Sequence, residues 1–300
     1  MIDVQSLTKV YRNQKGIFDL NFSISEGEVF GYLGPNGAGK TTTIRNLMGF
    51  VNPDSGTCRI MGLNCRTQAS QIHRCLGYLP GEMAFFESYT AIGYLKFMAE
   101  MKKVSDLKRM YDLIDRFELD TRGNIKKMSK GVKPKLGLVV AFMGDPLVYL
   151  LDEPASGLDP LMQNRFTELV LNEKKRGKTI LMSSHMFEEV ERTCDRVSII
   201  RNGSLAMEGD IHVLGQNRSK AFLIQLTHPE DAARLTAFGA KVVRLSPDRF
   251  EVAIRGEQVG ALLKLLAELE VVSLESKKES LEEIFLHLYG EEGADESHAI

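Results

Sequence analysis

The apolar run Val29-Phe30-Gly31-Tyr32-Leu33 gives way to Gly34-Pro35-Asn36-Gly37-Ala38-Gly39-Lys40-Thr41, after which Ile44, Leu47 and Met48 recur at helical spacing. The side-chain period thus switches from that of a strand to that of a helix across one glycine-rich turn. Glycines there let successive backbone N–H groups point inward, and a helix N-terminus behind the turn adds positive potential, a combination that cradles phosphate oxygens. In that frame Lys40 reaches the β- and γ-phosphates of a nucleotide and Thr41 ligates magnesium. Gly34, Pro35, Asn36, Gly37, Ala38, Gly39 and Thr42 complete the expected binding turn.

Along the first two-thirds of the chain, short Val/Ile/Leu-rich runs alternate with longer helical patterns, without an internal repeat. That rhythm predicts a parallel sheet flanked by helices. Strands are expected near 17–24, 28–33, 75–79, 147–151, 179–183 and 196–201, and helices near 40–50, 90–102, 105–117, 131–143, 160–175 and 186–193. Residues 85–130 carry helix patterns without an intervening strand, so a helical insertion on a doubly wound α/β domain is expected, a candidate partner surface. Arg201-Asn202-Gly203-Ser204 reads as a hairpin turn, followed by a short helix near 210–217.

Beyond it the pattern restarts as strand 220–226, helix 229–238, strands 240–245 and 249–254, helix 257–268, strand 270–275 and helix 279–289. This βαββαβ order reads as a small α+β ferredoxin-like domain. The expected division is therefore 1–217, 218–290 and an acidic, aperiodic tail over 291–300.

Composition narrows the partners. A net charge of −2 offers no general field for nucleic acid, which is not expected to bind. Cys58, Cys65, Cys75 and Cys194 form no C-x-x-C pair and have no histidine at zinc-finger spacing, so reduced structural thiols are expected. No apolar stretch approaches the ~18 residues of a spanning helix, and Met1-Ile2-Asp3-Val4 lacks a signal-peptide layout, which points to the cytosol.

A second chemical feature lies at the end of Val148-Tyr149-Leu150-Leu151, where Asp152 and Glu153 follow a buried-strand pattern. Open α/β sheets bind ligands at such strand ends. Asp152 is suited to hold the magnesium ion and Glu153 to polarise an attacking water as general base. Taken singly, Tyr11 reads equally as an ordinary core or surface aromatic, His185 as a structural histidine, and Ser129 as the N-cap of the helix that follows it.

Taken together, these segments resemble the ATPase subunits of ABC transporters. Asp152-Glu153-Pro154 running into Ala155-Ser156-Gly157-Leu158-Asp159 resembles their Walker B and D-loop, and Met128-Ser129-Lys130-Gly131-Val132 is similar to their LSGGQ signature. Ser183-Ser184-His185 resembles the switch-histidine loop, and Tyr11 sits where the family stacks adenine. The resemblance runs from residue 2 to about 217 and implies a P-loop NTPase fold of ABC type.

It further implies ATP and Mg2+ as ligands, with Lys40, Glu153 and His185 at the reacting phosphate and Thr41 and Asp152 on the metal. Two such domains pair head to tail, so that Ser129 and Gly131 act on the partner's ATP and Asp159 supports the seam. A one-set chain must then form a homodimer or pair with another ATPase subunit. Gly77-Tyr78-Leu79-Pro80-Gly81-Glu82 and Ser280-Leu281-Glu282-Glu283-Ile284-Phe285 resemble the drug- and antibiotic-exporting branch, with a separate membrane permease docked on 85–130 and the chain on the cytoplasmic side of the membrane. The alternative is a soluble ABC ATPase acting on ribosomes or nucleic acid, whose tandem domains and basic linkers are not seen.

Two departures stand out. Lys130 replaces a signature glycine, at the start of a helix among Lys126, Lys127, Lys133 and Lys135, and is expected to add charge near the partner's phosphates. Gly81 replaces the family's glutamine, and Glu82 beside it is expected near the magnesium shell or the permease.

Overall fold

The computed structural model describes residues 1–211, 213, 220–254 and 258–277. The chain divides into two compact units, Met1–Ile211 and His212–Ile300. The break is a few residues before the boundary expected at 217.

The first unit opens with β1 (Ile2–Val10), β2 (Gly16–Ile24) and β3 (Val29–Leu33), then α1 (Lys40–Leu47), β4 (Ser55–Ile60), β5 (Leu63–Asn64), α2 (Ala69–Ile72) and β6 (Leu76–Leu79). It continues through α3 (Ala91–Met101), α4 (Lys108–Arg116), α5 (Val132–Phe142), β7 (Val148–Asp152), α6 (Pro160–Lys175), β8 (Thr179–Ser184), α7 (Phe187–Thr193), β9 (Arg196–Arg201) and β10 (Ser204–Asp210). Six strands form one sheet in the order β10-β9-β3-β8-β7-β6. Its five strands from β9 to β6 are parallel, and β10 returns antiparallel on β9 through the expected Asn202-Gly203 turn. All five residues of β3 and of β7 are buried, as a strand covered on both faces requires.

The strand expected at 17–24 is present but does not join that sheet. It pairs antiparallel with β1, which in turn pairs with β4, in a second sheet ordered β2-β1-β4-β5. β1 and β4 escaped the sequence reading for a physical reason. Ser6 and Asp19 take φ of +46° and +47°, so β1 and β2 bulge and their buried residues, Ile2, Val4 and Leu7 opposite Ile17, Leu20, Phe22 and Ile24, break strict alternation. β4 begins Ser-Gly-Thr and buries only Cys58 and Ile60. One apolar cluster joins this sheet to α1 and the parallel sheet through Leu20, Phe22, Phe30, Tyr32, Ile44 and Leu47.

The helical insertion is α3 and α4. Thr90 caps α3 by accepting from the Gly93 N–H at 3.2 Å, and Thr90 bridges Asn124 where the chain returns. A buried polar network ties α4 to α5, α6 and β7. The Arg109 guanidinium donates to Glu173 of α6 at 2.8 Å and to the Phe142 carbonyl at 2.7 Å, while Tyr149 of β7 and Arg176 donate to the same Glu173 carboxylate at 3.1 and 2.9 Å. Glu173 is 2% exposed, and these donors satisfy its buried carboxylate oxygens.

The second unit contains β11 (Lys220–Leu226), a helix over Ala232–Ala237, β12 (Lys241–Arg244), β13 (Arg249–Ile254), a helix over Val259–Leu266 and β14 (Val271–Lys277). Its sheet is ordered β12-β13-β11-β14 with antiparallel neighbours, the order in which two split βαβ halves interleave. Phe222, Ile224, Leu226, Phe250, Val252 and Leu262 fill a core of its own. The helices expected near 210–217 and 279–289, the 280–285 motif and the tail lie largely or wholly outside the described residues.

Candidate active site

The parallel strands deliver three loops to one edge. Register sets Leu33 of β3 beside Ser184 of β8, and Asp152 of β7 beside Ser183. The glycine turn, the acidic pair and the histidine therefore leave the sheet side by side, at the carboxyl ends where such sheets bind ligands.

The turn cannot carry larger residues at its two ends. A Cβ on Gly34 would meet the Ile200 carbonyl oxygen at 2.4 Å, and one on Gly39, whose φ is +116°, would meet the Ile17 side chain at 2.7 Å. Lys40 opens α1, but its ammonium turns back to donate to the carbonyls of Gly34 at 2.6 Å and Pro35 at 3.1 Å. It lies 3.2 Å from Glu153 Oε1 and is 4% exposed. Pro35 and Ala38 close the turn, through the Ala38 N–H on the Pro35 carbonyl and the Gly203 N–H on the Ala38 carbonyl.

Glu153 stands in the left-handed region with φ of +49°, a conformation that costs a side chain about 1 kcal/mol. Its N–H donates to both the carbonyl and the hydroxyl of Ser183, at 3.2 and 3.0 Å, which holds the bend. The second carboxylate oxygen lies 3.2 Å from His185 Nδ1. One carboxylate thus joins Lys40 to His185, and strain of this kind gathers at functional positions.

Asp152 is 1% exposed. Its Oδ1 accepts the Ser183 hydroxyl, whereas Oδ2 is buried without a hydrogen-bond partner among the described residues. An orphaned carboxylate oxygen in a cleft that Thr41 also lines fits a hard divalent cation such as magnesium, which takes oxygen ligands. Thr41 and Asp152 share a cleft of about 220 Å³ with Arg45, Tyr78, Gly81 and Glu82. Gly81 leaves this cleft open, since a Cβ there would stand only 3.1 Å from Asp152 Oδ2. Burial, with Asp152's charge behind it, pushes the Tyr78 phenol up to about 12 against the opposing charge of Arg45.

A second cleft, of about 210 Å³, shares Thr41 and Glu153 with the first and runs past Asn36, Gly37, Gly39, Lys40 and Thr42 to Tyr11. Tyr11 is 38% exposed and is set by a tight turn in which its N–H donates to the Lys15 carbonyl at 2.8 Å. Lys15 and Gly16 line this end as well, positions the sequence reading did not single out. Their signal was the polar run Arg12-Asn13-Gln14-Lys15-Gly16 between two apolar runs.

Ser129 and Gly131 line neither cleft. They form the turn before α5, where a Cβ on Gly131 would approach the Gly157 carbonyl oxygen at 3.6 Å. The N-cap position of α5 falls on Gly131 and no side chain caps it; Ser129 contributes its carbonyl, which accepts from the Val132 N–H at 3.2 Å, so the capping hydroxyl is not used. Asp159 caps α6, accepting from the Met162 N–H at 3.0 Å.

Known proteins are similar to this chain. The family description "ABC transporter" matches residues 17–156. The chain is 33% identical to the Nod factor export ATP-binding protein I of Burkholderia orbicola, over 98% of each chain. The chain belongs to the ATP-binding proteins of ABC transporters. It is also 32% identical to the bacitracin transport ATP-binding protein BcrA of Bacillus licheniformis, over 97% of each chain. Among solved structures, an ATP binding subunit of an ABC transporter superposes with a TM-score of 0.67 at 30% identity, covering 71% of this chain and 91% of that one. As a member of this family the chain is an ABC-type ATPase that binds ATP.

Proposed function

We propose that this chain hydrolyses ATP as one of a head-to-tail pair and thereby drives an exporter whose membrane-spanning permease is a separate chain. The observation that carries the hydrolytic reading is the Glu153 carboxylate, 3.2 Å from both Lys40 and His185 at the junction of the two clefts. Phosphate oxygens reaching Lys40 compete with Glu153 for the same ammonium. The carboxylate is then left beside His185, positioned to accept a proton from water. Magnesium, when bound, withdraws charge from the phosphates, and Thr41 and Asp152 are the residues that hold it. Tyr11 offers its π-face to the adenine.

The pairing follows from what the clefts lack. Ser129 and Gly131 lie off both of them, on an exposed turn at the start of α5, so the signature is free to meet the nucleotide of a second copy. Among the described residues no helix is long and apolar enough to cross a membrane, which leaves the pathway to a permease held at the cytoplasmic face. The helical insertion, with Phe86 56% exposed, is the docking surface in this reading. Nod factor export and bacitracin transport in the two relatives favour export of a drug-like or antibiotic-like molecule. The second unit, with its interleaved sheet, serves as a ferredoxin-like accessory domain.

Glu153→Gln tests the assignment, because the amide keeps the shape and loses the base. Turnover is expected to fall by about 100-fold or more while ATP stabilises a dimer visible by size-exclusion chromatography. Turnover equal to that of the parent refutes Glu153 as the base.

A further inference from the structure

The loop carrying His185 is anchored from below by a group outside both clefts. Ser184, the last residue of β8, makes three connections at once. Its carbonyl accepts the Gly34 N–H at 3.3 Å, at the start of the phosphate turn. Its hydroxyl oxygen accepts the Met186 N–H at 2.9 Å, which folds the chain around His185. The hydroxyl proton goes to Glu189 Oε2 at 2.6 Å. Glu189 is on α7, 7% exposed, and its other oxygen has no hydrogen-bond partner among the described residues.

We propose that Glu189 is a positioning residue for ATP turnover, holding the His185 turn against Glu153 through the Ser184 hydroxyl. The proposal rests on the reading of Glu153 and His185 as the hydrolytic centre. A buried carboxylic group without a cation beside it is a poor choice for stability alone, since an apolar side chain fills such a space at lower cost. Its hydrogen bond instead fixes the one hydroxyl that both closes the His185 turn and belongs to the residue pinning the phosphate turn. Thr193 locks the carboxyl's own backbone by donating to the Glu189 carbonyl at 2.7 Å, so the helix end is rigid beneath the loop.

The electrostatic surroundings agree with that role. Burial, aided by the negative charge of Glu153, pushes Glu189 up to about 7 against the lowering effect of the Ser184 hydrogen bond. Among the described residues no cation contributes to this shift, whose causes are burial, the Ser184 hydroxyl and Glu153. The Glu189 proton is therefore linked to the charge at Glu153 while Glu189 touches no substrate.

The test is steady-state ATPase kinetics of the full chain with Glu189→Ala, Glu189→Gln and Ser184→Ala, with binding of a fluorescent ATP analogue alongside. Glu189→Ala is expected to lower kcat by about tenfold or more, as loss of alignment does, with KM and analogue affinity within about twofold of the parent. Glu189→Gln, whose amide oxygen accepts the same hydroxyl, is expected to keep kcat within about threefold of the parent. A kcat unchanged in Glu189→Ala overturns the proposal, and so does a Gln variant as impaired as Ala. If the Ala variant does not fold, Ser184→Ala removes the same bond with a change of one hydroxyl, and an unchanged kcat there overturns it equally. A parent chain without any ATP turnover overturns the hydrolytic reading itself, and the proposal with it.

Discussion

Replacing Glu189 by Gln removes a titration whose cost can be worked out. The carboxyl moves from an ordinary value of 4.5 to about 7 in the fold. The folded chain therefore binds this proton more tightly than the unfolded chain, so the group is least costly below pH 4.5, and stability is lost as pH rises towards 7 and then levels off. Two and a half units at 1.36 kcal/mol each give about 3 kcal/mol in all, of which about 2.5 kcal/mol falls between pH 5 and pH 8. Glutamine cannot ionise, so whatever fixed penalty its buried amide carries is the same at both pH values. The stability difference between variant and parent is thus expected to move in the variant's favour by about 2.5 kcal/mol from pH 5 to pH 8. For a unit of this size that is a relative rise in Tm of roughly 5–10 °C. The chain has no tryptophan, so melting is best followed by circular dichroism. A difference that stays constant between pH 5 and pH 8, or that grows in the opposite direction, refutes the reasoning.

Two further perturbations address other parts of the first unit. Glu173→Ala leaves Arg109, Tyr149 and Arg176 without their shared acceptor and is expected to destabilise by about 3 kcal/mol, read as a Tm lowered by roughly 6–12 °C; a melt equal to the parent's would show that the network is not a structural tie. Tyr11→Ala should weaken ATP binding by about tenfold or more through the loss of base stacking, while leaving the affinity for inorganic tripolyphosphate unaltered; equal losses for both ligands would remove Tyr11 from the adenine end.

The parts of this chain that were legible in its sequence are those whose structure is settled locally. The phosphate turn was readable because the period of apolar residues changes across six residues, and Asp152-Glu153 because a strand buried on both faces is a continuous apolar run. β1 was not, because the bulge at Ser6 shifts the register midway and erases the period of two, and β4 was not, because it begins Ser-Gly-Thr and buries only Cys58 and Ile60. Assigning residues 17–24 to the parallel sheet failed for a different reason: partner choice is a tertiary matter that the pattern within β2 does not decide. Glu189 could not be found from sequence at all. Beside Glu188 and Glu191 it reads as one more acid on a solvated helix face, and only the close approach of Ser184 gives it a partner.

The consequence reaches past this residue. β3, β7 and β8 are adjacent in the sheet, so Gly34, Asp152 with Glu153, and Ser184 with His185 are connected through backbone and hydroxyl hydrogen bonds without passing through the nucleotide. Ser183 and Ser184 are the joint. One hydroxyl serves the acidic pair, the other serves α7, and the Ser184 carbonyl holds the phosphate turn. A change in charge at Glu153 is therefore felt at α7 through a carboxyl buried beneath the histidine loop.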